Sequence, residues 1–520
     1  MLKARHATVG FTTKCTAYGV LMSIFIATAK RRALGALSLG LTVLGPASQQ
    51  IASLVIALAA AAVLSVSDFG TYALAIVFVE AGILLIYTGF HHFITVEDDD
   101  EYVLLPTCLC LMVGISAAFG LVLFCLAPFL AVWFESPELS LLLQVLSVLQ
   151  PAAAVVGWCS AVLLRKGATT TYFTGLLFSN AASVFIGVLG LLVWPSVFAL
   201  LAYRVVRICI GLAVFLWAVP VKPTLGFNRS LARRAFAFAR SLYAARFLGY
   251  FGNFGADLVL AAMFTTAESG LYRFANRLAS ASVDVVALPI KTLAQSRFGQ
   301  AAREGAGLQG MFEVFVTYLA FFGGGAVATV TLLAESAVAD LFRPEYLPAA
   351  ALVGYLACRS ILMAIGDLTE PVFATLKKTK ISLYYSVIST FLTLTAITLS
   401  APYGVGSMVV ALSVGGLVST VAAVGLILRH TDLKIRPLLV PLFKIVVALS
   451  GFAFALGGIL DGVDLGFFGQ LIVAVCLALF TTLFAALIGA LPGFGLPRGT
   501  SFKNPSLPDV PKRVVRQRPM

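Results

Sequence analysis

Residues 255–282 read GADLVLAAMFTTAESGLYRFANRLASAS: an apolar run, a short polar turn and a second amphipathic run, the pattern of an outer hairpin joining two transmembrane helices. The stretch has an echo at 55–75, VIALAAAAVLSVSDFGTYALA. At an offset of 200 positions Leu58 meets Leu258, Ala61 and Ala62 meet Ala261 and Ala262, Asp68 meets Glu268, Gly70 meets Gly270, Tyr72 meets Tyr272 and Ala75 meets Ala275. The chain therefore reads as a duplicated bundle. In each half the acid, the Gly and the Tyr follow one another where one apolar helix gives way to the next. Gly is expected to permit a tight turn, and Tyr at the head of the second helix to sit at the bilayer interface.

Composition fixes the class. Of 520 residues 60% are hydrophobic and 11% charged, and the mean hydropathy is +0.99, which excludes a soluble globular chain. A bilayer core about 30 Å thick needs roughly 20 apolar residues per helix, and the pattern accommodates about fourteen such segments. They fall near 38–63, 71–91, 104–133, 140–164, 173–194, 197–219, 238–264, 270–292, 311–334, 347–371, 382–400, 407–428, 438–460 and 467–491. The expected fold is all-α: a polytopic membrane protein of two duplicated six-helix bundles, 38–219 and 238–428, plus two further transmembrane helices in 429–491. An extension (1–37), an amphipathic cytoplasmic linker (220–237) and a basic, Pro-rich tail expected to be disordered (492–520) complete the chain.

Cytoplasmic loops keep an excess of Lys and Arg. With the N-terminus inside, the inner loops receive Arg31, Arg32, Arg165, Lys166, Lys222, Arg229, Arg233, Arg234, Lys291, Arg297, Arg303, Lys377, Lys378, Lys380, Arg429, Lys434 and Arg436, and the outer loops hold Arg343. This alternation places both termini in the cytoplasm. It also accounts for the net charge of +13 without nucleic acid, because basic loops face an anionic leaflet of membrane lipids. Ahead of the first segment, Ala17–Ala29 has the outline of a signal peptide but is followed at once by Lys30, Arg31 and Arg32, which favours retention inside. An interfacial helix and a start at Met22 are the other readings.

Several features invite chemistry. His91, His92 and the run Glu97–Glu101 suggest a metal or Mg-diphosphate site, but such an enzyme needs a second Asp-rich cluster, and the ordinary reading is a solvated acidic loop. Eight cysteines lie scattered in apolar segments without CxxC or zinc spacing, as small packing residues do. No Walker A, HExxH, GxSxG or Rossmann glycine pattern is present.

The informative residues are ionisable groups inside apolar segments. The first segment carries Ser48, Gln49, Gln50 and Ser53, a polar side expected to face the protein interior, and Glu80 lies in the second. Arg204 and Arg207 lie three apart, on one side of the sixth. On the seventh, Arg246, Tyr250, Asn253 and Asp257 fall at i, i+4, i+7 and i+11, a stripe about 60° wide. The eighth repeats the spacing with Arg273, Arg277, Ser280 and Asp284, with Asn276 alongside. Such stripes in hydrocarbon cost roughly 2.5–3.5 kcal/mol per charge unless they face water or each other, so a polar cavity is the economical explanation. Counted from the turn, Asp257 and Arg277 are expected to share a depth and pair; a structural salt bridge and a cavity-lining role are both compatible with that placement. On the tenth segment Arg359 and Glu370, eleven apart, are expected to share a face, as cavity residues or as part of an internal ion network with Asp367.

The turn signatures SDFGTYALA and AESGLYRFANRLA, the Asn253/Asp257 spacing and the fourteen-segment plan resemble the O-antigen and polysaccharide flippases of the multidrug/oligosaccharidyl-lipid/polysaccharide exporter superfamily, over about 37–491. The resemblance implies two six-helix bundles facing a central cavity, and alternating access that carries an undecaprenyl-diphosphate-linked glycan from the inner to the outer leaflet of a bacterial inner membrane. It transfers no catalytic residue. By chemistry, Arg273 and Arg277, then Arg246, Arg204, Arg207 and Arg359, with Asn253 and Asn276, are the expected ligands of an anionic cargo. Asp257, Asp284, Glu80 and Glu370 would couple a proton or sodium ion or hold the arginines; no other cofactor and no metal is called for. A polymerase or co-polymerase of the same pathway is the expected protein partner. A multidrug cation antiporter and a membrane glycan polymerase or ligase are the competing readings. Six arginines disfavour cationic cargo, and a polymerase or ligase would be expected to carry a longer outer loop than Glu335–Tyr346.

Overall fold

The computed structural model of the chain describes residues 48–97, 99–304, 308–376, 378–431, 434, 436–463 and 465–491. The extension, the start of the first expected segment and the tail 492–520 lie outside the described residues. All regular structure among the described residues is helical.

The duplicated stretch is where the halves meet. In the first half α1 (Ser48–Val63) leads into α2 (Val66–Tyr87); in the second, α9 (Arg229–Met263) leads into α10 (Thr266–Glu304). The acid of each repeat lies within a helix cap. Ser65 Oγ accepts from the Asp68 N–H at 3.1 Å. Thr265 Oγ1 accepts from the Glu268 N–H at 3.2 Å while the Glu268 carboxylate accepts from the Thr265 N–H at 3.0 Å, a reciprocal capping box. The glycines are therefore the fifth residues of their helices, one turn in, and the expected tight turn is not their role. A Cβ on Gly70 would overlap the Thr266 carbonyl, and one on Gly270 would overlap the Val66 carbonyl. Two helix starts touch backbone to backbone there, beside a Ser67–Thr266 hydroxyl contact of 3.0 Å. Tyr72 and Tyr272, expected at the bilayer interface, are buried at 9% and 1% exposure. Phe69, Phe274 and Tyr346 close the same end of the bundle, with ring centroids 4.8–6.4 Å apart.

The rest of each half repeats one plan. The first half continues with α3 (Phe90–Val96), α4 (Glu101–Trp133), α5 (Pro137–Val148), α6 (Gln150–Arg165), α7 (Thr169–Val193) and α8 (Val197–Ala218). The second continues with α11 (Gln309–Tyr318), a π turn at Leu319–Gly323, α12 (Gly324–Leu341), α13 (Leu347–Gly366), α14 (Thr369–Thr375), α15 (Thr379–Ser400) and α16 (Val405–His430). α4 packs on α5 and α6 as α12 does on α13; α7 pairs with α8 as α15 does with α16; α6 meets α8 as α13 meets α16. Between the halves, α2 packs on both α10 and α9. α5 and α6 bend by 42°, because Pro151 lacks an N–H and its ring crowds the carbonyl four residues back. The last pair, α17 (Arg436–Gly462) and α18 (Phe467–Leu487), packs on α12. Asp340 accepts from the Phe467 N–H at one end of that pair and Lys444 donates to the Ile488 carbonyl at the other, each at 2.7–2.8 Å.

The chain is a multi-pass membrane protein. Among the described residues ten helices are long and apolar enough to cross a bilayer, eleven when the bent pair counts as one. The difference from the expected fourteen falls on α1, whose described part is short, and on α9 and α10, which are long but carry the ionisable residues. Tyr102 and Trp217, both 90% exposed, and Trp133 and Trp194 ring the helix ends as interfacial aromatics do. The expected linker is also different: 220–228 is irregular, and from Arg229 a single helix runs to Met263. No Gly or Pro interrupts 229–248, and Leu231, Ala232, Ala235 and Ala239 bury one face against Phe90, Phe93, Leu104 and Leu105.

Candidate functional site

Asp257 of α9 pairs with Arg273 of α10, Oδ2 to the guanidinium at 2.7 Å. The expected partner was Arg277. Because the capping box starts α10 at Thr266, the turn signature belongs to the helix, and the residue level with Asp257 is one turn earlier than expected. Asp257 lies seven residues before Phe264 and Arg273 seven after Thr266, each about 10 Å from the turn at 1.5 Å per residue. The carboxylate side chain is 8% exposed and the guanidinium 20%, and the latter also stands 5.2 Å over the Phe254 ring. Arg359 of α13 lies within Coulombic reach of Asp257.

Arg277 instead reaches across to the first half. It donates to the Gln50 carbonyl at 2.9 Å and lies 3.4 Å from the Gln50 side-chain oxygen. Its Nε is buried without a hydrogen-bond partner. In the first half Arg204 of α8 donates to the Tyr72 hydroxyl at 3.2 Å and faces Glu80 at 3.5 Å. Tyr72 and Glu80 are two turns apart on one side of α2, so a single guanidinium spans both. Tyr250 of α9 crosses between the halves and donates to the Val77 carbonyl at 2.7 Å. Glu80 is within electrostatic reach of Arg273 and Arg277. Glu80, Arg204, Asp257, Arg273, Arg277 and Arg359 thus form one ionisable cluster where the halves meet, with arginine in excess.

Other expected residues lie elsewhere. Asp284 is eleven residues beyond Arg273 on α10, about 16 Å further from the Thr266 end, near a Lys291–Asp367 pair at 2.5 Å. Arg246 is exposed and lies near His92, while Arg207 lies near Tyr87. Asn276 is half-buried beside Arg277, and the Asn253 side chain lies outside the described residues. Glu370 is exposed and does not share a face with Arg359, because α13 ends at Gly366 and α14 begins at Thr369, which breaks the eleven-residue register. The acidic run 97–101 is not simply solvated. Glu101 holds Arg165 and Lys166, and Arg234 of α9 binds Glu97 at 3.1 Å and Asp99 at 2.5 Å. Tyr72, Gln50 and the Lys291–Asp367 pair were not among the expected site residues; Gln50 and Asp367 were visible as polar residues in apolar runs, and Tyr72 gave no such signal.

An apolar cavity of about 380 Å³ opens between α10, α12, α17 and α18, on the side of α10 turned away from Arg273 and Arg277. Leu278 and Ser282, just past Arg277, line one wall, and Phe322, Leu333, Phe452 and Leu471 line the others.

A family model described as "Polysaccharide biosynthesis protein" matches residues 60–351, more than half of the chain. No curated protein sequence matches. Among solved structures the fold is similar to "Lipid II flippase MurJ, inward closed conformation", with a TM-score of 0.69 at 13% identity, covering 86% of this chain and 100% of that one. It is also similar to an inward-facing multidrug resistance MATE family transporter of the MOP superfamily, with a TM-score of 0.63 at 13% identity over 73% of this chain and 94% of that one. A MOP superfamily transporter from Pyrococcus furiosus gives 0.52 at 14% identity over 75% and 94%. At these identities the likeness is one of fold.

Proposed function

Because the chain belongs to the polysaccharide biosynthesis protein family, we propose that it is a flippase, not an enzyme, which moves an undecaprenyl-diphosphate-linked oligosaccharide across the bacterial inner membrane by alternating access. The observation that carries this reading is the arginine-rich cluster where the halves meet. Arg204, Arg273 and Arg277 supply counter-charge at membrane depth, where a diphosphate would otherwise lose its hydration uncompensated. Arg277 Nε is buried and has no hydrogen-bond partner, a donor available to a phosphate oxygen. The apolar cavity bordered by α17 and α18, on the other side of α10, suits a polyprenyl chain. The backbone contact at Gly70 and Gly270 shuts the outer end, so loading takes place from the cytoplasmic side, where both termini lie. Asp257 and Glu80 either couple a proton or sodium ion to the cycle or hold the arginines in place.

The multidrug antiporter reading gains from the MATE-like fold, but the excess of arginine opposes cationic cargo. The polymerase or ligase reading would need a folded outer loop, whereas Phe342 to Tyr346 separates α12 from α13 by a few residues. The test is the amount and leaflet of lipid-linked repeat units in cells carrying the wild type, a deletion or Arg273→Ala/Arg277→Ala. Deletion is expected to remove surface polysaccharide and strand precursor on the cytoplasmic leaflet, and the double variant to match it despite normal insertion. Precursor on the outer leaflet, left unpolymerised, would transfer the protein to the polymerase or ligase class.

A further inference from the structure

The start of α9 has two faces, and the bundle uses one. Leu231, Ala232, Ala235 and Ala239 bury against the first half, and Arg234 turns to Glu97 and Asp99. Arg229, Arg233, Phe236 and Arg240 fall at i, i+4, i+7 and i+11, which at 100° per residue confines them to about 60°. All four are exposed, Phe236 at the border where its ring edge also meets the buried Phe90, and no carboxylate among the described residues lies within ion-pair distance of the three arginines. The irregular segment ahead of them adds Lys222 and two bare apolar side chains, Leu225 at 81% and Phe227 at 64% exposure.

The depth of this element is set by its neighbours. It follows Trp217, which is 90% exposed at the end of α8, and the Asn228 N–H donates to Thr107 Oγ1 at 3.2 Å, one to two turns from the equally exposed Tyr102 on α4. Exposed Trp and Tyr at helix ends mark the headgroup level. Unpaired cations alternating with exposed Leu and Phe at that level match a surface that is anionic outside and apolar just beneath.

We propose that Arg229, Arg233 and Arg240, with Leu225 and Phe227 as apolar anchors, form a docking stripe for anionic phospholipid headgroups of the cytoplasmic leaflet. The assignment rests on the orientation proposed above. Because α9 also carries Asp257 and packs on α15 of the second half, lipid held here steadies the helix that joins the two halves.

The test uses the full chain in nanodiscs of phosphatidylcholine alone or mixed with phosphatidylglycerol, with thermal unfolding as readout. Phosphatidylglycerol is expected to raise the Tm of the wild type. Arg229→Gln/Arg233→Gln/Arg240→Gln should unfold at the wild-type temperature in phosphatidylcholine and lose the increment. In lipid titrations the triple variant should bind on the order of a hundredfold more weakly, from about fivefold per basic residue. Arg234→Gln, an internal ion-pair change, should shift both lipid conditions equally. A full increment in the triple variant, or none in the wild type, overturns the proposal. Inorganic phosphate reproducing the increment would mean a free-anion site, and polyglutamate reproducing it an acidic protein partner; either result overturns the lipid assignment. Transport is not measured, so failure here leaves the flippase reading to its own test.

Discussion

Removing Arg273 separates the two roles that its position allows. Asp257 is 8% exposed and 2.7 Å from the guanidinium; at an effective dielectric near 20 the attraction is about 6 kcal/mol, most of it offset by desolvation of both groups. Taking away one partner leaves a buried carboxylate without its counter-ion, at a cost of about 3–5 kcal/mol. Arg273→Met should therefore fall sharply in thermal stability in detergent. Replacing both partners, Arg273→Met/Asp257→Leu, should recover most of that loss, because a buried pair exchanged for apolar residues of similar volume is often neutral or better. Delivery of lipid-linked repeat units to the outer leaflet should stay lost in the double variant, since the counter-charge for the cargo is still missing. If the double variant regains transport along with stability, Arg273 is only the partner of Asp257, and the substrate site must be rebuilt around Arg277 and Arg204.

Cysteines at Ser67 and Thr266, whose hydroxyls are 3.0 Å apart, should cross-link on oxidation and stop transport until reduced; a cross-linked protein that still delivers precursor would show that the α2–α10 contact need not open. Arg277→Lys retains the charge but not the planar fork, so it should keep the fold and lower transport, and wild-type activity would mean that charge alone suffices at this position. Arg234→Gln removes ion pairs whose arginine is 54% exposed, and should cost no more than about 1 kcal/mol in chemical or thermal denaturation. Leu278→Trp should fill the apolar cavity and impair carriage of long polyprenyl cargo more than of a short-chain analogue; equal impairment would separate the cavity from the lipid chain.

The duplication and the helical class are legible because each is written in local spacing, and so is the presence of arginines within apolar segments. What the spacing did not carry was the physical state of the repeated turn. Glu268 and Gly270 were read as the loop, whereas the Thr265–Glu268 box starts the helix early and moves the partner of Asp257 from Arg277 to Arg273. Arg359 and Glu370 are co-facial only in an unbroken helix, whereas Gly366 ends α13 and Pro371 lies in the first turn of α14, a stop signal that the eleven-residue spacing ignores. The contacts Arg277–Gln50, Tyr250–Val77 and Arg234–Glu97 join positions 137–227 residues apart, and no periodicity within one helix reports them.

The Gly70 and Gly270 crossing has a reciprocal form: the first glycine meets Thr266, the second meets Val66, and these partners are themselves 200 positions apart. Residue i touching j′ while j touches i′ is the signature of an isologous two-fold interface, here within one chain. The two halves therefore sit as a fused homodimer, and covalent linkage freed each copy to diverge away from the axis. Ala73, Val77 and Ala57 occupy the positions that in the other copy became Arg273, Arg277 and Asp257. Two identical chains would have had to place such charges in pairs, facing their own kind; one fused chain places them on a single wall.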